Sequence, residues 1–353
     1  MRRRSVTTAL RNGSMRALVY TEDRTLEVLD VPVQPIAAGE VSLRVSAAGI
    51  CGSDVHGVAT RSPRRRPPLI MGHELTGEVV EVGEGVPGEL IGNHVAVNPQ
   101  VPCGACSACR SGCENVCQDR ELVGGTRPGG FGELVSVPTG CLHVLPEGLG
   151  LDIGVMAEPL ATCVHGIGLI GRIAPRSAVV LGAGTIGVLA VQMLRLIGTE
   201  WIAVSDVDAG RRQGVSGVAD IAVPPEELDA VVEGRPGGIE IAVDAAGTSS
   251  TRHDSVRLLQ PLGTALWFGM HDQDSPIPAF DLVVREQRIL GSFAYTNPEF
   301  ARAVALLASG QIRPMVSSTI VPLDESASAF EALLSGGPTA SLKSIVAPGP
   351  ATS

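Results

Sequence analysis

Aromatic residues are scarce: Phe, Trp and Tyr make up 3% of the 353 residues. Cores must therefore be filled by Val, Leu, Ile and Ala, and a pocket walled by stacked rings is disfavoured. Basic charge is also short. Lys and Arg total 27 against 37 Asp and Glu, a net charge of −10. Nucleic acid needs a basic footprint, so it is excluded as the main partner. No apolar run of signal-peptide length follows Met1, because residues 1–14 read MRRRSVTTALRNGS. The expectation for this stretch is a disordered extension, or an upstream start-codon choice, ahead of a strand-like segment that begins at Met15, with a basic targeting tail as the alternative. No repeat with a period of 20–50 residues is visible. The run Ser177–Leu194 carries no charge and approaches membrane-span length. Glycines in its first half point instead to a buried strand, a tight turn and a buried helix. The expectation is a soluble, cytoplasmic protein without a membrane partner.

What is present is apolar bulk: 44% hydrophobic and 18% charged residues describe a globular chain of two domains. From Met15 to Pro146, short apolar runs are separated by Gly and Pro turns, the pattern of a β-rich region. Beyond Glu158, strand-like runs (SAVVLG, WIAVSD, IEIAVDAAG, TALWFGM) alternate with helical segments. Such alternation predicts an α/β region with a parallel sheet. The Arg64–Pro68 segment, RRRPP, reads as a solvated turn or as the lining of a substrate entrance.

Gly182, Gly184 and Gly187 frame G-x-G-x-x-G, with Thr185 and Ile186 between the last two. An apolar strand precedes the motif and a helical run follows it. In that context the glycines permit a tight turn, close approach of the backbone to a pyrophosphate, and close helix packing. Asp206 closes the next strand, where a carboxylate accepts bonds from ribose hydroxyls and repels a 2′-phosphate. NAD is therefore favoured over NADP. Arg211 and Arg212 nearby weigh the other way, since an Arg can accommodate that phosphate.

The chain has eight cysteines, five of them crowded between Cys103 and Cys117. This is not the spread of a disulfide framework. Cys103, Cys106, Cys109 and Cys117 are spaced as thiolate ligands of a closed tetrahedral zinc site. Cys113 is the competing fourth ligand, and Cys117 is preferred. A second set is dispersed: Cys51, Ser53 and His56 in GICGSDVH, His73 and Glu74 in GHE, and Glu158 in EPL. Cys, His and carboxylate are competent zinc ligands that leave a position open for substrate. Spacing alone does not prove that they converge.

GICGSDVH, GHE, the four-cysteine lobe and GAGTIG with Asp206, in that order along the chain, resemble the zinc-dependent medium-chain dehydrogenase/reductase family from Met15 onward. The resemblance implies a GroES-like β-rich catalytic domain (15–158 with 291–353) and a doubly wound Rossmann domain (159–290). It implies two zinc ions per chain, one structural and one catalytic. Cys51 and His73 would be catalytic-zinc ligands, and Glu74 a ligand or exchangeable neighbour. Glu158-Pro159-Leu160 resembles the branch of sorbitol, threonine and butanediol dehydrogenases, in which this Glu is a ligand; Cys163 is the alternative. Ser53 and His56 match the family's proton relay. The implied activity is oxidation of a secondary hydroxyl, on a polyol, cyclitol or aminocyclitol-type small molecule, by NAD. A homotetramer or homodimer is expected. The competing readings are a zinc-free NADPH enone reductase of the same superfamily and a non-enzymatic NAD-binding redox sensor.

Overall fold

The structure, a computed structural model, describes residues 13–171, 174–235, 237–313, 318–335 and 342–349. Of the N-terminal extension only Gly13 and Ser14 fall within these, and Ser14 already opens the first strand. The chain forms two units. One contains the residues up to Glu158, Thr296–Ala308 and the stretch from Ser318. The other contains Pro159–Tyr295 and the residues from Ser309.

In the first unit, short apolar runs become strands because alternate side chains can be buried on a pleated surface. The strands are β1 (Ser14–Tyr20), β2 (Leu26–Pro32), β3 (Glu40–Gly49), β4 (Leu69–Ile70), β5 (Glu74–Val82), β6 (His94–Val97), β7 (Gln100–Val101), β8 (Glu121–Leu122), β9 (Leu134–Pro138) and β10 (Leu142–Val144). Helix α1 (Gly52–Ala59) leaves the end of β3. β2, β1 and β4 make a small antiparallel sheet. In the main sheet β10, β6, β5 and β3 are neighbours, and β9 also pairs with β3. Two of the few rings pack together here. Phe131 and Phe330 meet edge to face at 6.5 Å among Tyr20, Leu43, Met71 and Leu75. Burying each ring contributes roughly 1.5–3 kcal/mol.

The second unit begins within helix α2 (Ala157–Ile170). Its parallel strands are β11 (Ser177–Leu181), β12 (Trp201–Ser205), β13 (Ile221–Val223), β14 (Ile239–Asp244), β15 (Leu259–Trp267) and β16 (Arg288–Gly291). Their order is β13–β12–β11–β14–β15–β16, so the winding reverses beside β11. The charge-free run is buried strand β11, a turn at Gly182 (φ 101°) and helix α3 (Thr185–Leu196), which is buried from Gly187 to Leu194. Among the described residues, Leu151–Ile170 is long and apolar enough to cross a membrane, but 56% of its apolar window is buried inside the fold.

The chain then re-enters the main sheet of the first unit through β17 (Ser318–Pro322) and β18 (Lys343–Ala347). β18 pairs with β3, placing Ile345 opposite Gly49.

Candidate active site

Strand register builds the dispersed donor set. Gly49, the last residue of β3, lies opposite Glu74, the first residue of β5. Cys51 and His73, each just beyond its strand, therefore emerge at the same end of the sheet. The donor atoms of Cys51, His73 and Glu74 lie within 4.8 Å of one another. Because β18 runs antiparallel to β3, its first residue, Lys343, arrives at the same end and pairs with the Glu74 carboxylate. A side chain at position 49 would collide with both Glu74 and Lys343. Gly72 holds φ 94° with Phe131 against it, a conformation that favours glycine, and so delivers His73 inward.

Cys51 caps helix α1, with its Sγ accepting the Ser53 N–H at 3.5 Å. Asp54, three residues on, is fully buried. Its Oδ1 lies 3.3 Å from His73 Nδ1 and accepts from Arg65 Nη2 at 2.7 Å. Burial works to raise the Asp54 pKa, but His73 and Arg65 outweigh it and hold the carboxyl below its ordinary value. For His73 the signs invert: burial opposes its charge, yet Asp54 and Cys51 bring the imidazole well above its ordinary value. Lys343 behaves likewise, with Glu74, Cys51 and Glu158 overcoming burial. Thiolate, imidazole and carboxylate are the donors zinc takes. His73 Nδ1 and Glu74 Oε2 are both buried without a well-aligned hydrogen bond, each facing only a charged partner.

Glu158 lies in the first turn of α2, close enough to support the charge of Lys343, but outside the group of three mutually close donors. Cys163 turns its buried thiol to the Ile186 carbonyl at 3.5 Å. Ser53 is half-buried and accepts from Arg65 Nη2 at 3.4 Å, while His56 is exposed on α1.

The Sγ atoms of Cys103, Cys106, Cys109 and Cys117 also lie within 4.8 Å of one another. Cys106 and Cys109 Sγ are 3.4 Å apart, and Cys103 and Cys109 Sγ 4.0 Å. Four sulfurs at about 2.3 Å from a tetrahedral zinc would be about 3.8 Å apart, so the spread fits the ion. Cys113 is exposed and outside this group, with its thiol 3.9 Å from the Ser111 carbonyl. Backbone N–H groups of Ala105 and Cys106 bring Cys103 down to about 7. Desolvation, then the Cys106 and Cys117 thiols, push Cys109 up to about 12. One thiol ionises readily while its neighbour resists, as expected where sulfurs are crowded around a place for a cation.

The glycine turn has the geometry its residues require. A Cβ at Gly187 would collide with the Gly182 carbonyl, and Gly184, at the N-cap of α3, has open space above it. The N-terminus of α3, starting with Thr185 and Ile186, follows directly on this turn, the place where helix N–H groups meet a phosphate. Asp206 follows β12. Its buried carboxylate accepts from Ala183 N–H at 2.7 Å and Asp208 N–H at 2.8 Å. Arg211 Nη1 stands 4.0 Å from it, and Arg212 binds the carbonyls of Asp206 and Val207.

Three residues of the pocket escaped sequence reasoning. Asp54 was available as the partner of Cys51 in an i, i+3 capping box. Arg65 belongs to the segment read as a solvated turn or entrance lining. Arg61, Arg64 and Arg66 are exposed, but Arg65 is 7% exposed and bound to Asp54. Lys343 had one signal: it is the sole lysine beside 26 arginines.

Residues 37–147 match the alcohol dehydrogenase GroES-like domain model, and residues 185–309 match that of the zinc-binding dehydrogenases. The chain is 32% identical over 333 residues to 2-dehydro-3-deoxy-L-galactonate 5-dehydrogenase of Pseudoalteromonas atlantica, covering 92% of this chain and 96% of that protein. D-altritol 5-dehydrogenase of Agrobacterium fabrum is 30% identical, with 88% and 94% covered. A zinc-binding dehydrogenase of Sinorhizobium meliloti, solved bound to NADP, superposes with a TM-score of 0.87 at 33% identity, over 95% of this chain and 99% of that one.

Proposed function

The chain belongs to the zinc-dependent medium-chain dehydrogenase/reductase family, and on that premise we propose that it oxidises a secondary hydroxyl of a polyol, cyclitol or aminocyclitol-type substrate to the ketone, with NAD taking the hydride. The carrying observation is the meeting of thiol, imidazole and carboxylate at one sheet end, in a chain that also has a glycine turn of dinucleotide-binding form.

Two zinc ions per chain are assigned. Cys103, Cys106, Cys109 and Cys117 would hold the structural one. Cys51 and His73 would hold the catalytic one, with Glu74, the carboxylate beside them, as ligand or exchangeable neighbour paired with Lys343, and Glu158 as the further carboxylate ligand. Zinc bound there supplies Lewis acidity to a substrate hydroxyl. Ser53 Oγ would accept the hydroxyl proton while passing its own on, by way of the cofactor ribose, to His56, which is exposed on α1 and would return it to water. Asp206 selects NAD by offering a carboxylate to the ribose, with Arg211 the residue that would favour NADP. The names of the relatives, which act on a sugar acid and on altritol, support a polyhydroxylated substrate. The cysteine donors speak against the zinc-free reading.

A homodimer or homotetramer fits the surface of the second unit. Edge strand β16 is paired on one side, and helix α4 (Ala279–Val284) carries Phe280 and Val283 at 78% and 74% exposure. None of the eight cysteines is joined in a disulfide, which suits a reducing cytoplasm.

The test is reduction of NAD and of NADP by the zinc-loaded protein across polyols, cyclitols, aminocyclitols and aldonic acids, with metal content measured on the same sample. Turnover of one substrate with two zinc ions per chain is expected. Turnover that survives complete metal removal, or cofactor binding without any turnover, would overturn the proposal.

A further inference from the structure

We propose that Arg65 is a positioning residue for the Cys51–His73 site, holding the Asp54 carboxylate against the His73 ring and so fixing which ring nitrogen is left for the metal. The inference rests on the reading of Cys51 and His73 as ligands.

A guanidinium is almost never fully buried without a partner that compensates it. Arg65 alone among the four arginines of 61–66 is buried, and glycines on two neighbouring segments leave it room. A Cβ at Gly57 would come within 2.8 Å of Arg65 Cγ, and one at Gly125 within 2.9 Å of Nη1. Two separate segments thus carry glycine where any side chain would crowd this arginine.

The distances rank its partners. The Asp54 contact, at 2.7 Å and between opposite charges, is a strong hydrogen bond. The Ser53 contact, at 3.4 Å, is long and secondary. Asp54 Oδ1, the oxygen held by Arg65, is also the one that faces His73 Nδ1 at 3.3 Å. Its other oxygen accepts the Cys51 N–H at 3.5 Å. Asp54 thereby touches both proposed ligand residues, and Arg65 is the counter-charge that keeps the carboxylate in place. An ionised carboxylate only accepts, so the ring hydrogen is directed to Nδ1 and the Nε2 lone pair is left for a metal. A lysine at this position would offer a point charge rather than a planar fork.

The test uses the full-length, metal-loaded protein, Arg65→Met and Arg65→Lys. Zinc transfer to a chromogenic chelator is followed, with the four-cysteine lobe as internal reference. The visible spectrum of protein carrying cobalt at the Cys51–His73 site is recorded beside it. Arg65→Met is expected to weaken metal binding at this site about 10–100-fold, to shift the cobalt bands and to leave the lobe unchanged. Arg65→Lys should recover part of the loss. In the same samples kcat should fall while KM stays within about twofold, as for a group acting through a ligand. An Arg65→Met protein with unaltered metal affinity and cobalt spectrum would overturn the inference. So would equal loss of both metals, or unfolding of both variants, since either would make Arg65 a packing residue only. A parent protein that binds no metal at Cys51 and His73 would overturn the functional reading as well.

Discussion

The four-cysteine lobe and the Cys51–His73 pocket both gather metal donors, by opposite routes. The lobe is one short segment, closed by a turn of helix at Ser107–Arg110 and by backbone N–H groups directed at sulfur. Its donors are all thiols, and only Cys117 is fully buried. The pocket is assembled from the ends of β3, β5 and β18, and its donors are of three kinds. Two buried ion pairs, Lys343–Glu74 and Arg65–Asp54, balance it. A closed site needs donors and little else. A reactive site must keep a position open in a dry place, so it needs charges and orienting groups from distant parts of the chain.

If the two sites are as separable as this contrast implies, Cys51→Ser should divide them most clearly. Loss of the Lewis acid should lower turnover by roughly 10³-fold or more while the lobe keeps its zinc. Metal analysis and kcat on one preparation check this, and loss of both ions would break the comparison. Cys117→Ser is the converse. It should release the lobe metal and lower Tm by about 10 °C, because a structural zinc contributes folding energy directly. Residual turnover should persist, and differential scanning calorimetry with metal analysis reads both effects.

Lys343→Met probes the charge balance of the pocket. Breaking a buried pair leaves the other charge uncompensated, at a cost of about 3–5 kcal/mol. The lysine pKa is raised in the folded protein, with burial overcome by Glu74 and Cys51. Its contribution is therefore complete below the unfolded value of 10.5 and is lost only as pH rises through the higher folded value. The gap in Tm between parent and variant should thus be flat from about pH 6 to about pH 9. A gap that closes within that range would mean that Lys343 is not the charged partner of Glu74.

Local features were open to sequence reading and remote ones were not. The glycine turn and the lobe are written within a few residues, where steric need and ligand spacing act directly. Parallel α/β alternation after Glu158 is equally local. The register Gly49–Glu74 is different: it is settled by which faces of β3 and β5 find the core, and no residue near Cys51 announces it. Arg65 was misread because a basic, Pro-rich run is usually solvated, and three of its neighbours in 61–66 are. What separates it is tertiary, namely the room left by Gly57 and Gly125. Lys343 lies far along the chain from its partners, yet a single lysine among so many arginines was a legible anomaly. A compact ammonium fits where Gly49 leaves little space, and a planar guanidinium is a poor replacement.

The gentlest test concerns the lobe alone and alters no residue. With the metal removed, Cys103, brought down to about 7, should be more fully thiolate near pH 8 than Cys109, which is pushed up to about 12. A lower pKa also makes a thiolate somewhat less nucleophilic, but that penalty is far smaller than the difference in ionised fraction. Brief alkylation followed by peptide mass spectrometry should therefore mark Cys103 well before Cys109. With metal present, both should be protected together with Cys106 and Cys117, while exposed Cys113 still reacts. Protection of Cys113 with labelling of Cys117 would reverse the fourth donor. The lobe would then be a looser turn centred on an exposed thiol, and its contrast with the buried pocket would have to be drawn from the remaining three cysteines.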